Sequence, residues 1–232
     1  MSTIAENVET IRADIREVSR ASGRSDLPRL VGVTKTRSLE DVRALISAGV
    51  DHLAENRWES WHERLLAFPE SLWPSTFWHF IGPIQGRALK RFYRPLFCIE
   101  SLDNHAHGAV LSRLALESGV PQRVLVEVNV CRAPERAGVL PENLFPELES
   151  LAALPGLRLE GLMVMGPIPG DAKAPSSSEV FGEGNALFQE ARRLIPSMGT
   201  LSMGMSEDYR EAIRWGSTEV RIGRSLFEGM LR

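Results

Sequence analysis

At 232 residues, of which 43% are hydrophobic, the chain is long enough for one large barrel domain or for two small domains. Its formal net charge of -3 disfavours a nucleic acid or an anionic membrane as the main partner. Cys98 and Cys131 lack CxxC spacing and fit two reduced thiols better than a disulfide or a metal site. No signal peptide or membrane-spanning run is evident, which predicts a cytoplasmic globular protein.

The chain opens with apolar residues at helical spacing, among them Ile4, Val8 and Ile11, which predict an amphipathic helix over residues 3–21. Short apolar runs then alternate with helical patterns. Strands are predicted at residues 30–34, 51–55, 77–81, 96–99, 123–129, 158–163, 200–203 and 220–222. Helices are predicted at residues 38–48, 85–92, 104–118, 141–154, 179–195 and 207–214, with Ser38 and Ser206 as N-caps.

Eight strand signals alternating with helices predict the α/β class and a single (β/α)8 TIM-type barrel with an extra N-terminal helix. Residues 1–232 would then form one domain. An open doubly wound sheet is the alternative, weakened because no GxGxxG follows the first strand. The loop at residues 166–178, rich in proline and serine, is interpreted as an insertion rather than as a lid.

Lys35 closes the first buried strand run, at residues 30–36. A lysine at the carboxyl end of such a strand is expected to point into the mouth where ligands of a barrel bind. Partly desolvated there, its amine would be suited to forming a Schiff base. The alternative is a lysine that only reaches solvent from a strand end.

Two strand-to-helix turns near the C-terminus are rich in small and hydroxyl residues, at residues 202–206 and 216–218. Backbone N–H groups of such turns can close around an anion, and the turns after strands seven and eight are the usual phosphate site of a barrel. The alternative is that glycine and serine only make tight turns. With Lys35 at the same mouth, we favour phosphate binding.

Arg221 lies between Val220 and Ile222 in the last predicted strand, so alternation points its side chain into the barrel. A buried arginine needs an acceptor or an anion. If the ligand contains a pyridine ring, Arg221 could face the ring nitrogen; the competing interpretation is an ion pair with a core glutamate such as Glu127 or Glu55. His79 is interpreted as a hydrogen-bonded core histidine, and no metal site is assigned.

Six blocks of sequence carry a family resemblance, above all the last two. They are VTKT at residues 33–36, ENR at 55–57, WHFIGPIQ at 78–85, GLM at 161–163, LSMGMS at 201–206 and GSTEVRIG at 216–223. In order and spacing they resemble the pyridoxal phosphate homeostasis protein family, over nearly the whole chain. The resemblance implies one barrel of the alanine racemase N-terminal type that binds pyridoxal 5′-phosphate (PLP).

The same resemblance assigns roles residue by residue. Lys35 would hold PLP as a Schiff base, and Asn56 would lie beside the ring. Arg221 would face the pyridine nitrogen. The remaining contacts would come from Ser206, Gly223 and Arg224 at the phosphate, with Met203 and Thr218 lining the site. Residues 83–88 read PIQGRA and lack the asparagine and lysine usual in the family, so a transfer route through a second lysine is in doubt.

We therefore predict a monomeric PLP-binding protein that stores the cofactor or delivers it to PLP-dependent apoenzymes, without robust catalysis. The alternative is a small PLP-dependent amino-acid racemase of fold type III. Racemisation needs two acid/base groups on opposite faces of the substrate, and Lys35 supplies only one. The two tyrosines, Tyr93 and Tyr209, do not fall at an evident strand mouth. A phosphosugar-binding barrel would explain the phosphate turns but not the ordered blocks.

Overall fold

Eight parallel strands close into a barrel in which each strand pairs with the next and the last pairs with the first. The structure is a computed structural model that describes residues 2–68, 75–94, 96–168 and 174–229. The strands are β1 Arg29–Val33, β2 His52–Glu55, β3 Phe77–Phe80, β4 Cys98–Leu102, β5 Gln122–Val128, β6 Leu157–Val164, β7 Thr200–Met203 and β8 Glu219–Ile222. The predicted α/β class and TIM-type barrel are confirmed, and the open sheet is excluded.

Helices alternate with these strands around the barrel. They are α1 Ile4–Ala21, α2 Leu39–Ser47, α3 Trp58–Ala67, α4 Gly86–Phe92, α5 His105–Ser118, α6 Leu144–Ala152, α7 Ser177–Leu194 and α8 Tyr209–Arg214. The sequence patterns predicted all of them except α3. Trp58 and Trp61 on α3 are each 2% exposed and pack against β3, as expected of packing residues. The third tryptophan of this stretch, Trp73, lies outside the described residues.

The N-terminal helix α1 completes the ring of helices. It packs against α2, α8 and the 3-10 turn Arg224–Leu226 that follows β8, so it occupies the place of a helix after the eighth strand. A capping box between Thr3 and Glu6 begins α1. The two ends of the described chain meet here, because the Ser2 hydroxyl donates to the Glu228 carbonyl over 2.9 Å.

One of the two predicted N-caps is correct. Ser38 caps α2 in a capping box with Asp41, as its spacing indicated. The prediction of Ser206 as the cap of α8 is wrong, because this helix begins only at Tyr209. The Asp208 carboxylate instead accepts the Met205 N–H over 2.6 Å, which folds residues 205–208 into a turn ahead of the helix. Ser206 is thereby left free to face the mouth.

Alternation along each strand separates an apolar outer layer from a mixed lumen. In β7, Leu201 and Met203 pack in the core between strands and helices, whereas Ser202 points into the barrel. Both cysteines are free, as predicted. Within the described residues, no helix combines the length and the apolar character needed to cross a bilayer. The lumen therefore carries the polar side chains that matter for a site.

Candidate functional site

A pocket of about 390 Å³ opens at the carboxyl ends of the strands, the end at which barrels bind ligands. Its volume lies within the range of small-molecule sites. Apolar walls from Val33, Ile81, Met165 and Met205 surround several convergent polar groups. Six of the eight residues singled out from the sequence line this pocket: Lys35, Asn56, Ser206, Arg221, Gly223 and Arg224.

Lys35 is the second residue after β1 and lines the pocket, as expected. Lys35 is exposed in this structure, and the expected partial desolvation of its amine stays a prediction. The next residue, Thr36, has a φ of 63°, a conformation that β-branched residues rarely adopt. The Arg37 N–H donates to the Thr34 carbonyl over 3.0 Å and closes this tight turn. The turn ends the strand where Lys35 meets the pocket.

Asn56 and Gly82 form the wall beside Lys35 through a close backbone approach. A β-carbon on Gly82 would overlap the Asn56 backbone, so only glycine fits there. The Gly82 carbonyl accepts the buried Ser101 hydroxyl over 2.5 Å. These contacts explain why the block at residues 78–85 combines a strand with a glycine, and they place Asn56 on the pocket wall.

The turn after β7 brings Ser206 to the pocket. Gly204 has a φ of 96°, and a β-carbon on it would lie 2.6 Å from Ala212 Cβ, so the sequence needs glycine at this position. The Ser225 N–H approaches the Ser206 hydroxyl at 3.4 Å, which joins this turn to the turn after β8. Arg224 on the second turn forms an exposed ion pair of 2.7 Å with Glu207. Hydroxyl, guanidinium and backbone thus converge as a phosphate site requires.

Arg221 lies at the floor of the pocket and is 3% exposed. Its Nη1 donates to the Ser202 hydroxyl over 2.6 Å and lies 3.8 Å from Glu100 Oε2. Its Nη2 donates to the Val164 carbonyl over 3.1 Å and to the Met165 sulfur over 3.5 Å. Arg221 therefore has a core glutamate nearby and also faces the pocket, so the two interpretations of this residue are compatible.

The glutamate nearest to Arg221 differs from both candidates named from the sequence. Glu55 accepts instead from the Thr34 hydroxyl over 2.6 Å and from Arg64 over 3.3 Å. Glu127 is half-buried on β5, and burial raises its pKa to about 7 although the charge of Arg221 opposes the shift. The sequence reasoning missed Glu100. Its signal was a carboxylate inside the otherwise uncharged buried run of β4.

His79 is fully buried and hydrogen-bonded, which confirms it as a satisfied core histidine. Its Nδ1 lies 2.6 Å from Glu100 Oε1, and its Nε2 lies 2.9 Å from His52 Nδ1. Glu219 lies on the other side, 3.8 Å from His79 Nδ1, and binds Arg29 over 2.9 Å. His79, Glu100 and Glu219 offer ligand atoms within 4.8 Å of one another, as a metal site would. That no metal binds stays a prediction.

Two of the eight residues lie away from the pocket. Met203 ends β7 but belongs to the apolar layer outside the barrel, because alternation with the lumen-facing Ser202 turns it outwards. Thr218 precedes β8, at the opposite end of the barrel from Lys35, where its hydroxyl accepts the Leu201 N–H over 2.8 Å. It lines a separate shallow depression beside Arg24 and Trp215. These positions correct the expectation that both residues line the site.

The loop after β6 borders the pocket through Pro167. Residues 169–173 of this loop lie outside the described residues, so whether it is an insertion or a lid stays a prediction. The loop ends where Ser176 caps α7 through a capping box with Glu179.

Comparison with known proteins shows the family of this chain. The family described as "Alanine racemase, N-terminal domain" matches residues 7–230. A Pseudomonas aeruginosa protein named "Pyridoxal phosphate homeostasis protein" is 36% identical over 234 residues, covering 98% of this chain and 96% of the relative. A Deinococcus radiodurans protein of the same name is 34% identical over 225 residues, covering 95% and 99%. The chain belongs to the pyridoxal phosphate homeostasis protein family.

Solved structures with a similar fold include members of this chain's own fold class. PipY of Synechococcus elongatus, solved with PLP bound, has a TM-score of 0.77 and 27% identity, covering 97% of this chain and all of PipY, 100%. PipY without PLP has a TM-score of 0.82 over the same share of this chain. An alanine racemase from Clostridium difficile shares the fold alone, with a TM-score of 0.71 and 14% identity, and the match spans 58% of that racemase.

Proposed function

We propose that this chain binds PLP at the mouth of the barrel and holds it, through Lys35, for storage and for delivery to other proteins. One observation carries the proposal. The pocket brings the Lys35 amine together with Arg221 on the floor and with Ser206, Gly223 and Arg224 on the rim. An amine, a ring-facing cation and an anion-binding rim are the three groups that a phosphorylated pyridine aldehyde needs.

The residues fit the chemistry of PLP. Its aldehyde supplies an electrophile that condenses reversibly with amines. Lys35 at the edge of the pocket would take that aldehyde, and the turns of Ser206 and Gly223 would take the phosphate. The Arg224 guanidinium would add charge at the phosphate once it is released from Glu207. The apolar walls would cover the ring, beside Asn56.

Arg221 supports a holding role over catalysis. A guanidinium has only donors and stays charged, so it would donate to the ring nitrogen and leave that nitrogen without a proton. The electron withdrawal that most PLP enzymes obtain from a carboxylate at this position would then be weak. Arg221 therefore disfavours carbanion chemistry.

The tyrosines also argue against the racemase alternative. Tyr93 donates its hydroxyl to Gln122 over 3.1 Å, and the Tyr209 hydroxyl binds Asp14. Both side chains are buried, and neither lines the pocket. A second acid/base group of the tyrosine type is thus missing from the pocket as described.

The proposal also covers location and assembly. It places the chain in the cytoplasm, as a monomer with one domain over residues 1–232. The two free thiols suit a reducing compartment.

The test is site-resolved trapping of the cofactor. The chain is incubated with PLP, reduced with borohydride and digested, and modified lysines are mapped by mass spectrometry among Lys35, Lys90 and Lys173. We expect modification at Lys35, its loss in Lys35→Ala, and no change in Lys90→Ala, whose lysine is exposed on α4. Modification spread equally over the lysines would overturn the proposal.

The second arm separates holding from catalysis. The PLP-loaded chain is incubated with L-alanine, and the D-isomer is measured by chiral chromatography. We expect no D-alanine above the level of the Lys35→Ala variant, together with transfer of PLP to a PLP-dependent apoenzyme added in the same buffer. D-alanine production that depends on Lys35 would favour the racemase alternative.

A further inference from the structure

A continuous series of hydrogen bonds runs through the lumen from the pocket floor towards the opposite end of the barrel. Arg221 Nη1 and Glu100 Oε2 both lie 2.6 Å from the Ser202 hydroxyl oxygen. Glu100 Oε1 lies 2.6 Å from His79 Nδ1, and His79 Nε2 lies 2.9 Å from His52. Every member is buried. The function proposed above uses only the first of these groups.

The direction of each bond near the pocket is fixed by chemistry. Arg221 has no acceptor, so Ser202 accepts from it and must donate its own hydrogen to Glu100. As a carboxylate, Glu100 accepts on both oxygens, from the Ser202 hydroxyl and from His79 in the tautomer that carries its proton on Nδ1. Burial alone would raise the pKa of Glu100, but the His79 hydrogen bond and charge, with Arg221 and Ser202, lower it to about 2. The carboxylate is therefore a fixed anion beneath Arg221.

The charge of Glu100 is balanced inside the barrel. Burial alone would lower the pKa of His79, yet Glu219 and Glu100 together raise it. Glu219 is itself held by Arg29 at 2.9 Å. Each of the two carboxylates therefore has an arginine nearby, Arg221 for Glu100 and Arg29 for Glu219, with His79 between the two carboxylates. A divalent ion on His79, Glu100 and Glu219 would have to displace the 2.6 Å hydrogen bond and sit among these cations.

We propose that Glu100, acting through Ser202, is a positioning residue that fixes the Arg221 guanidinium at the pocket floor so that its remaining N–H groups meet the ring nitrogen of PLP. The inference rests on the proposed function and deepens it. Without the Ser202 bridge, Nη1 would keep only the 3.8 Å ion pair with Glu100 among its described contacts, which is beyond hydrogen-bond length, while the Val164 carbonyl and the Met165 sulfur would still accept from Nη2. Both of those partners bind Nη2, so the planar guanidinium could pivot about that nitrogen.

The test compares two ligands on three variants. Ser202→Ala removes the bridge, Glu100→Gln removes the anion at nearly constant volume, and Ser112→Ala is the matched control. Ser112 is equally buried, and its hydroxyl accepts one bond, from the Gly156 N–H over 3.0 Å, on α5 away from the lumen. Dissociation constants are measured for PLP and for inorganic phosphate, the latter by competition. Absorption spectra of the PLP-loaded variants are recorded, together with thermal unfolding.

We expect Ser202→Ala to weaken PLP binding about tenfold, because Arg221 loses a hydrogen bond. Glu100→Gln should weaken it at least as much, because the charge of the hydrogen-bonded carboxylate is lost. Inorganic phosphate has no ring, so its dissociation constant should change less than about twofold on the same scale. The absorption maximum of bound PLP should shift in both variants and stay in place in Ser112→Ala. In an Arg221→Gln background, Ser202→Ala should have no further effect on PLP binding.

Each result decides the matter. Equal weakening of PLP and phosphate would assign Ser202 and Glu100 a general structural role and overturn the inference, as would unchanged PLP binding in both variants. A loss of PLP affinity on adding a chelator would also overturn it, in favour of a metal site. Where Glu100→Gln fails to fold, Ser202→Ala carries the test alone, since it leaves both charges in place. If the wild type takes up no PLP, the proposed function fails as well.

Discussion

Gly82 lies so close to Asn56 that a β-carbon on it would stand 1.9 Å from the Asn56 carbonyl oxygen. The neighbouring element offers a matched control, because a β-carbon on Gly86, which begins α4, would have nothing within 4 Å. This approach joins the turns after β2 and β3, and it forms the pocket wall that carries Asn56.

We expect Gly82→Ala to lower the free energy of unfolding by about 3 kcal/mol, because the clash is between backbone groups that cannot rotate away. PLP affinity should fall with it, since Asn56 must move. Gly86→Ala should instead raise stability by up to about 1 kcal/mol through helix propensity. Urea unfolding and PLP titration of both variants check this. Equal stability of the two variants would contradict the close approach.

Ser206 and Thr218 should behave differently although both are hydroxyl residues in small-residue turns. Ser206→Ala is expected to weaken PLP binding about tenfold, because a hydrogen bond to a charged phosphate is lost. Thr218→Val should leave PLP affinity unchanged, since Thr218 lies at the far end of the barrel, and should cost about 1–2 kcal/mol in stability by leaving the Leu201 N–H unpaired.

Pyridoxal without its phosphate is the control ligand for this pair. Its affinity should be the same in Ser206→Ala and in the wild type. A tenfold loss of PLP affinity in Thr218→Val would mean that residues at both ends of the barrel contribute to binding, and would contradict the placement of Thr218.

Glu207 competes with phosphate for Arg224. Their 2.7 Å ion pair is more than half exposed on both sides, so it adds little to stability. We expect Glu207→Gln to release the guanidinium and to raise PLP affinity about two- to fivefold, with a larger gain at low ionic strength. Isothermal titration at two salt concentrations measures both effects. The exposed Glu190→Gln on α7 is the control, and an unchanged affinity in Glu207→Gln would exclude the competition.

Glu127 should make stability depend on pH. Burial raises its pKa from the ordinary 4.5 to about 7, against the opposing charge of Arg221. Between these two values the folded chain keeps a proton that the unfolded chain has released, so this group lowers stability as pH rises from 4.5 to 7. The loss is complete above about pH 7, where both states are ionised.

The glutamine of Glu127→Gln stays neutral, so the variant loses the pH-dependent contribution of this carboxyl to stability. The variant should match the wild type near pH 4 and become the more stable of the two as pH rises, with the difference constant above about pH 7. Denaturant unfolding at several pH values measures it. A pH-independent difference would show that the carboxyl titrates alike in both states.

Hydrophobic periodicity was enough to predict the barrel, because its strands are short apolar runs and most of its helices have apolar residues at helical spacing. Eight buried runs and their helices were found to within a few residues, whereas α3 was missed because its two buried tryptophans, Trp58 and Trp61, stand among charged residues. The boundary of α8 was misplaced for a local reason. Asp208 takes the Met205 N–H, so a helix-like sequence starts with a turn.

The sequence predicts the site residues that lie in motifs at the mouth of the barrel. It does not predict those whose place depends on strand alternation or on a contact between distant strands. Lys35, Asn56 and Ser206 lie within three residues of a strand end, so the fold alone brings them to one pocket. Met203 and Thr218 belong to these motifs but do not line the pocket. Met203 points outwards from the barrel, and Thr218 lies at the end of the barrel opposite the pocket. The partnership of Glu100 with Arg221 joins strands four and eight, and no sequence pattern records such a contact.

The closure of the ring by α1 has a consequence for folding. β1 and β8 pair, with Val31 beside Arg221, although they stand at opposite ends of the sequence. This seam is the contact of highest sequence separation in the barrel, so its loop-closure entropy makes it a late event. Because Ser2 and Glu228 touch, a circular permutant that links them and opens the chain at the exposed turn of Gly119 would move the seam between β4 and β5. In the permutant β8 and β1 would be consecutive, so Lys35 and Arg221 would come together early in folding. The last step before the cofactor site is complete would then be the pairing of β4 with β5.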